Sequence, residues 1–293
     1  MIKIIYIAGD GRSGSTLLEG VLSNITESIS VGECHRFWNR YYQKDTVCGC
    51  SEPIEQCNLW SRVDAQLKEQ NSTYDAQVML QKVREIQQYR NFKRIPQLLD
   101  SPSWREFGDI VKSYYLSIAS LTNSKIIIDS SKSIPWAYVL QHLDFADLHI
   151  IHLERNLSSV ANSWKKQLVL PEYTSKEVFM PRKSNGVVLK SWIKVKWLAR
   201  YLHKKARMEH YQYEMLCRYP EDYLKRISVF IDETIPLKNL GFQYNHAIGG
   251  NPIRFKVDKK IVIRNSENSH ENLRGWEKVF FGLSNKLSKI FIK

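Results

Sequence analysis

With 293 residues, 43% of them hydrophobic, the chain can bury a sizeable core as one α/β domain, or as one domain with insertions. Its longest purely apolar runs are about five residues, far short of the roughly 20 that span a bilayer, and its N-terminus meets a polar turn too early for a secretory signal, so a soluble, cytoplasmic protein is expected. The formal net charge of +13 and the pI near 9.4 favour an anionic partner, whether nucleic acid, membrane surface or small molecule.

Ile2 to Ala8 reads as a buried strand, followed by the turn Gly9-Asp-Gly-Arg-Ser-Gly-Ser-Thr16 and a helical pattern over 15–24. A glycine-rich turn from strand to helix aims backbone N–H groups and a helix N-terminus at one point, which suits a phosphate-like anion. The octet matches the dinucleotide fingerprint as Gly9-x-Gly11-x-x-Gly14, and the nucleotide P-loop as Gly9-x-x-x-x-Gly14-Ser15-Thr16 with its lysine missing. Arg12 is foreign to both templates. A weaker strand, Ser28 to Gly32, leads to Glu33, which lies 19 residues beyond Gly14, near the spacing of a ribose-binding acid.

No convincing strand occurs over 34–123, which reads as a mainly helical insertion with patterns at 61–90 and 104–122 and as the natural place for acceptor specificity. Three of the five cysteines lie there as Cys48-Gly-Cys50-x6-Cys57. A metal site would need a fourth ligand, which Cys34 or His35 supplies only if the fold happens to bring it; the three are read as buried thiols in a turn, and no metal ligand is assigned.

The strand Lys125 to Asp129 follows, then a helix over 134–143, the strand Leu148 to Glu154, and helices at 157–168 and 187–205. The last carries Lys190, Lys194, Lys196, Arg200, Lys204 and Lys205 among aromatics, yet Val188, Trp192, Val195, Ala199 and Leu202 make a helical stripe. That pattern reads as an amphipathic helix with a solvated basic face rather than a nucleic-acid surface. Met208 to Tyr213 is a further strand and 220–231 a further helix. Strands alternating with helices predict a doubly wound parallel sheet whose ligands sit at the carboxyl ends of the strands. Arg155 at such an end, with Ser163 eight residues on, is placed to meet a second phosphate beside the glycine loop.

Gly11-Arg-Ser-Gly-Ser-Thr-Leu-Leu18 resembles the 5′-phosphosulfate loop of sulfotransferases that use 3′-phosphoadenosine 5′-phosphosulfate (PAPS), with Gly11 in place of a proline and Ser15 of a threonine. Arg155 to Ser163 is similar to the family's 3′-phosphate motif, with Leu157 where a proline is common. Asp129-Ser-Ser-Lys132 and Val31-Gly32-Glu33 match further segments in order, and Tyr213-Glu214-x-Leu216, the cysteine stretch and Gly249 to Phe255 resemble bacterial members. The likeness runs from about residue 4 to Trp276. It implies a P-loop-like sulfotransferase fold in which Arg12, Ser13, Gly14, Ser15, Thr16 and Leu17 hold the phosphosulfate, and Arg155 and Ser163 the 3′-phosphate, with Tyr213 and Arg254 near the nucleotide. Lys132 would neutralise the leaving group, with no metal required. Glu33 and His35 compete for the base: Glu33 has the Gly-Glu context, whereas the family's catalytic histidine falls where Ser133 and Ile134 stand. The acceptor is expected to be a small molecule, carbohydrate, lipid or peptide, not nucleic acid. A degenerate P-loop kinase or NTPase, with Asp129 on magnesium, and a non-catalytic nucleotide-binding module are the other readings.

Overall fold

Ile4 to Ala8 is wholly excluded from solvent, which a strand achieves when both faces of its sheet are covered. The computed structural model describes residues 1–42, 46–173, 177–238, 240–242, 246–250, 252–255, 261 and 263. Among them the elements run β1 (Ile2–Gly9), α1 (Ser15–Leu22), β2 (Ser28–Gly32), α2 (Phe37–Tyr41), α3 (Asn58–Gln70), α4 (Ala76–Ile86), α5 (Ile95–Asp100) and α6 (Pro102–Thr122). Then come β3 (Ile126–Lys132), α7 (Ile134–Leu143), β4 (Ala146–Glu154), α8 (Leu157–Lys165), α9 (Asn185–His203), β5 (Met208–Gln212), α10 (Tyr213–Arg218) and α11 (Pro220–Ile231). The strands form one all-parallel sheet in the order β2-β3-β1-β4-β5, flanked by helices, as the sequence predicts.

β1 lies between β3 and β4; from its carboxyl end the chain crosses to β2 on the β3 side, whereas from β3 it crosses to β4 on the other, and the reversal opens a crevice there. Its side chains alternate between two cores. Ile4, Tyr6 and Ala8 pack with Ile127, Ile150 and the helices of the 34–123 stretch, and Ile5 and Ile7 pack with Ile128, Ile151, α1 and α11. Glu19, buried on α1, binds the sheet from beneath: it accepts from Ser30 Oγ, from Ser130 Oγ at 2.6 Å and from the Gly32 N–H at 3.0 Å.

Element ends shift by up to three residues from the sequence reading in β4, α8 and α9, and two further differences have a structural cause. The pattern over 61–90 is two helices and a 3₁₀ turn, because Asp75 caps α4 by accepting from the N–H groups of Gln77 (2.7 Å) and Val78 (3.0 Å). The strand read as ending at Asp129 continues to Lys132, carried by the buried hydrogen bonds of Ser130 and Ser131. Helix α9 buries Val188, Trp192, Leu198, Ala199 and Leu202, the expected stripe with Leu198 in place of Val195, and Lys196 on its flank pairs with Glu154 at 2.9 Å.

Candidate active site

The loop after β1 is shaped by a carboxylate. Buried Asp10 accepts from its neighbour's N–H, Gly11, and from Ser191 Oγ on α9, both at 2.9 Å. Arg12 then takes a left-handed conformation (φ 72°) and Gly14 another (φ 90°) before α1 starts at Ser15. Gly14 is required twice over: φ is positive, and a Cβ there would fall 2.2 Å from ring atoms of Tyr213. Tyr213 in turn carries the Arg155 guanidinium 4.7 Å over its ring, and Arg155 Nη1 donates to the Arg12 carbonyl at 3.1 Å. Arg12 lies over Trp164 at 5.1 Å. The Nε atoms of both arginines are buried without a hydrogen-bond partner, and burial, then the charge of Arg155, lowers the pKa of Arg12.

On the other side of β1, Lys132 ends β3 with φ 65°, a conformation that costs a residue with a side chain about 1–2 kcal/mol. Its Nζ donates to Glu33 Oε1 at 2.6 Å, while Arg36 Nε lies 2.6 Å from Oε2. Burial pushes the Glu33 pKa up, but Arg36, Lys132 and His35 outweigh it and hold the carboxyl well below the usual carboxylate range. Gly32 sets this residue in place: φ is 72°, a Cβ would meet the Ile248 carbonyl at 2.3 Å, and the Glu33 N–H donates to that carbonyl at 2.7 Å. His35 donates its backbone N–H to Ser131 Oγ, and burial, followed by the charge of Arg36, holds its ring at about 3. Its Nδ1 is buried without a partner, so the ring is neutral near pH 7.

These groups share one cleft of about 730 Å³, which brings together Arg12, Gly14, Ser15, Thr16, Leu17, Glu33, His35, Lys132, Arg155, Ser163 and Tyr213. Ser13 lies buried beneath the loop and not on the cleft wall. Arg254 sits in the 3₁₀ turn Pro252–Phe255, with its side chain outside the described residues, as is Trp276.

Neither a family model nor a curated protein matches the sequence. Solved structures do match. The sulfotransferase domain from the curacin biosynthetic pathway aligns with a TM-score of 0.53 at 17% identity, over 92% of this chain and 90% of that one. The sulfotransferase domain from the Synechococcus PCC 7002 olefin synthase gives 0.53 and 17%, over 99% and 94%. The chain has a sulfotransferase fold.

Within this sulfotransferase fold, part of the cleft wall escapes the sequence reading. Leu170, Val178, Phe179 and Met180 form an apolar side, and Arg40, paired with Glu172 at 2.6 Å, supports it next to Tyr173. No periodicity marks this irregular stretch. Arg36, three residues after Glu33, could have been found from its spacing. Asp129 is fully enclosed: it accepts from Tyr115 and from the Ser131 N–H (2.8 Å), away from the cleft, and burial raises its pKa to about 6. Cys48 and Cys57 are buried free thiols, as the sequence reading has them, and Cys50 is partly exposed. Cys48, Cys50 and Cys57 converge on His246, while Cys34 lies under Tyr114 and His35 faces the cleft. Among the described residues, no helix is long and apolar enough to cross a membrane.

Proposed function

We propose that the chain transfers a sulfuryl group from PAPS to a hydroxyl or amine of an acceptor. The reading is carried by the two guanidiniums of Arg12 and Arg155, whose buried Nε atoms lack partners; neither arginine has a carboxylate against it among the described residues. Half-buried cations with no carboxylate against them are costly, so a pair of them in one cleft favours a ligand with two anionic groups. PAPS supplies a sulfate activated on a 5′-phosphate and a second phosphate at the 3′ position. Arg12, the N–H groups of Gly14 to Thr16 and the hydroxyls of Ser15 and Thr16 would hold the first. Arg155, kept in place by Tyr213, and Ser163 would hold the second.

Transfer forms a bond from sulfur to the acceptor oxygen or nitrogen and breaks the bond from sulfur to the phosphate oxygen. The bisphosphate leaves as the anion, and the acceptor proton passes to a base. Lys132 is the cation for the leaving oxygen. Glu33 is the base: it is ionised, and a shift of Lys132 from its carboxylate toward the leaving oxygen raises its basicity as the acceptor proton comes off. His35, neutral and with a free Nδ1, is the second candidate. No metal is required in this scheme, since fixed side-chain cations meet the leaving-group charge. The enclosure of Asp129 disfavours the kinase alternative, which needs that carboxylate on magnesium. The acceptor is proposed to be a small molecule, carbohydrate, lipid or peptide, with an apolar portion against Leu170, Val178 and Phe179, and not nucleic acid.

Thermal unfolding with 3′-phosphoadenosine 5′-phosphate, with ATP and magnesium, and with NAD tests the donor. The bisphosphate is expected to stabilise the chain, by about 2.7 kcal/mol at 100 times its Kd. Stabilisation by ATP–magnesium and not by the bisphosphate refutes the reading. Mass spectrometry of acceptor pools incubated with labelled PAPS then tests transfer; bisphosphate binding with no sulfated product from any pool would mark a non-catalytic module.

A further inference from the structure

Away from the cleft, four residues place one metal-binding atom each within 4.8 Å of all the others: Cys48, Cys50, Cys57 and His246. The Sγ atoms of Cys50 and Cys57 are 3.7 Å apart, and Cys57 Sγ is 3.2 Å from His246 Nδ1. A disulfide needs sulfurs about 2.05 Å apart, and all five cysteines are free. A tetrahedral zinc with bonds of about 2.3 Å to sulfur and 2.0–2.1 Å to nitrogen holds its ligand atoms about 3.8 Å (S···S) and 3.6 Å (S···N) apart. The cluster therefore already has nearly the spacing that an ion would impose.

The backbone around it has the form of a ligand knuckle. Ser51 turns the chain in the left-handed region (φ 72°), its N–H donating to the Cys48 carbonyl at 2.9 Å, while the Cys48 N–H donates to Glu52 O at 2.8 Å. Cys57 is the N-cap residue of α3. The fourth ligand arrives from 189 residues away and is pinned there: Trp60 Nε1 donates to the His246 carbonyl at 2.9 Å, and the Gly49 N–H to the Ala247 carbonyl at 3.1 Å. Two residues on, Ile248 exchanges hydrogen bonds with Val31 and Glu33.

We propose that Cys48, Cys50, Cys57 and His246 bind one zinc ion in a closed structural site that fastens the strap behind Glu33. Three thiolates and an imidazole select a borderline-soft ion and leave no open coordination position, so the ion takes no part in the cleft chemistry. None of the four residues lines the cleft. The site stands on its own geometry and does not depend on the identity of the donor or acceptor.

The test is the metal content of the full-length chain, purified under reducing conditions from zinc-containing medium. One zinc per chain is expected, released in step with titration of the thiols by a mercurial. Cobalt in its place should show the absorption of a tetrahedral thiolate site. Because Cys57 also caps a helix, His246→Ala and Cys50→Ser, the two partly exposed ligands, are the variants to use. Each should bind well under half the metal, while Cys217→Ser keeps the full complement. Removing zinc with a chelator should speed hydrogen exchange at the amides of Glu33 and Ile248. A metal-free chain with three titratable thiols, a Cys50–Cys57 disulfide, or a zinc content unchanged by both variants would overturn the site. Unchanged exchange at Glu33 would overturn its role as a fastening.

Discussion

Replacing Arg155 by lysine keeps the charge and removes the fork. In the native chain this guanidinium sits over Tyr213, donates through Nη1 to the Arg12 carbonyl and keeps a buried Nε without a partner. A hydrogen bond to a charged group contributes about 1.5–3 kcal/mol, and 1.4 kcal/mol is tenfold in affinity, so losing the one that Nε would make to a 3′-phosphate should weaken the bisphosphate about 10- to 140-fold. Lysine at this position offers a point charge with no planar face for Tyr213, so the charge alone does not restore the site. The loss should follow the 3′-phosphate: adenosine 5′-phosphate, which lacks it, should bind the variant and the native chain with nearly equal affinity. Calorimetric titration of both ligands at one ionic strength measures the difference, since salt screens the charge contribution. Equal losses for the two ligands would mean that Arg155 acts through the Arg12 turn. No loss for either would remove it from the binding site.

Glu33→Gln should slow transfer by about 10²–10⁴-fold, the range of general-base contributions, while bisphosphate affinity holds or tightens because a negative charge leaves a cationic cleft; a variant with native rates would move the base to His35. Gly14→Ala should abolish bisphosphate binding, since its Cβ meets the Tyr213 ring, and pairing it with Tyr213→Ala should recover only part of the melting temperature, because the positive φ still costs about 1–2 kcal/mol, and no binding; recovery of binding would show that the glycine serves packing alone. His152, buried in β4, is held at about 3 by burial and then by His210, so it stays neutral in the fold yet binds a proton below about 6.5 when unfolded. Its contribution is complete above pH 6.5 and is lost as pH falls toward 3, amounting to about 2 kcal/mol by pH 5. Urea unfolding at pH 7 and pH 5 should show that His152→Gln shrinks the difference by that amount, and an unchanged difference would refute the assignment.

What the sequence makes legible is what local patterns fix. The run Ile4 to Ala8, the glycine turn and the amphipathic stripe of α9 are short-range signals, and each appears in the fold, the stripe with Leu198 in place of Val195. The convergence of Arg12, Lys132 and Arg155 was also accessible, because parallel strands joined by helices carry their carboxyl ends to one edge. Long-range placement was not accessible. Nothing near Cys57 names His246 as its neighbour, and nothing in the irregular stretch from Leu168 to Lys183 marks it as a cleft wall. The electrostatics of Glu33 were half legible. Its cations could be expected from Lys132, but the strength with which they lower its pKa depends on Arg36 and on burial that three-dimensional packing decides.

The end of β3 shows why the strand boundary and the chemistry failed to be read together. Between the pairs Tyr6↔Asp129 and Ala8↔Lys132, β1 advances two residues while β3 advances three. Between Ser30↔Ile128 and Gly32↔Asp129 on its other side, β2 advances two while β3 advances one. Both irregularities fall where Asp129 turns inward to Tyr115 and Ser130 inward to Glu19, so β3 gives its polar side chains to the interior and delivers its last residue, Lys132, in a left-handed conformation at the cleft. A bulge re-aims the side chains that follow it. Here it separates two carboxylates to which the sequence offers different roles, Asp129 on magnesium in the kinase reading and Glu33 as the base: Asp129 is enclosed as a structural acid, and Glu33, one strand over, meets the lysine that Asp129 precedes by three residues.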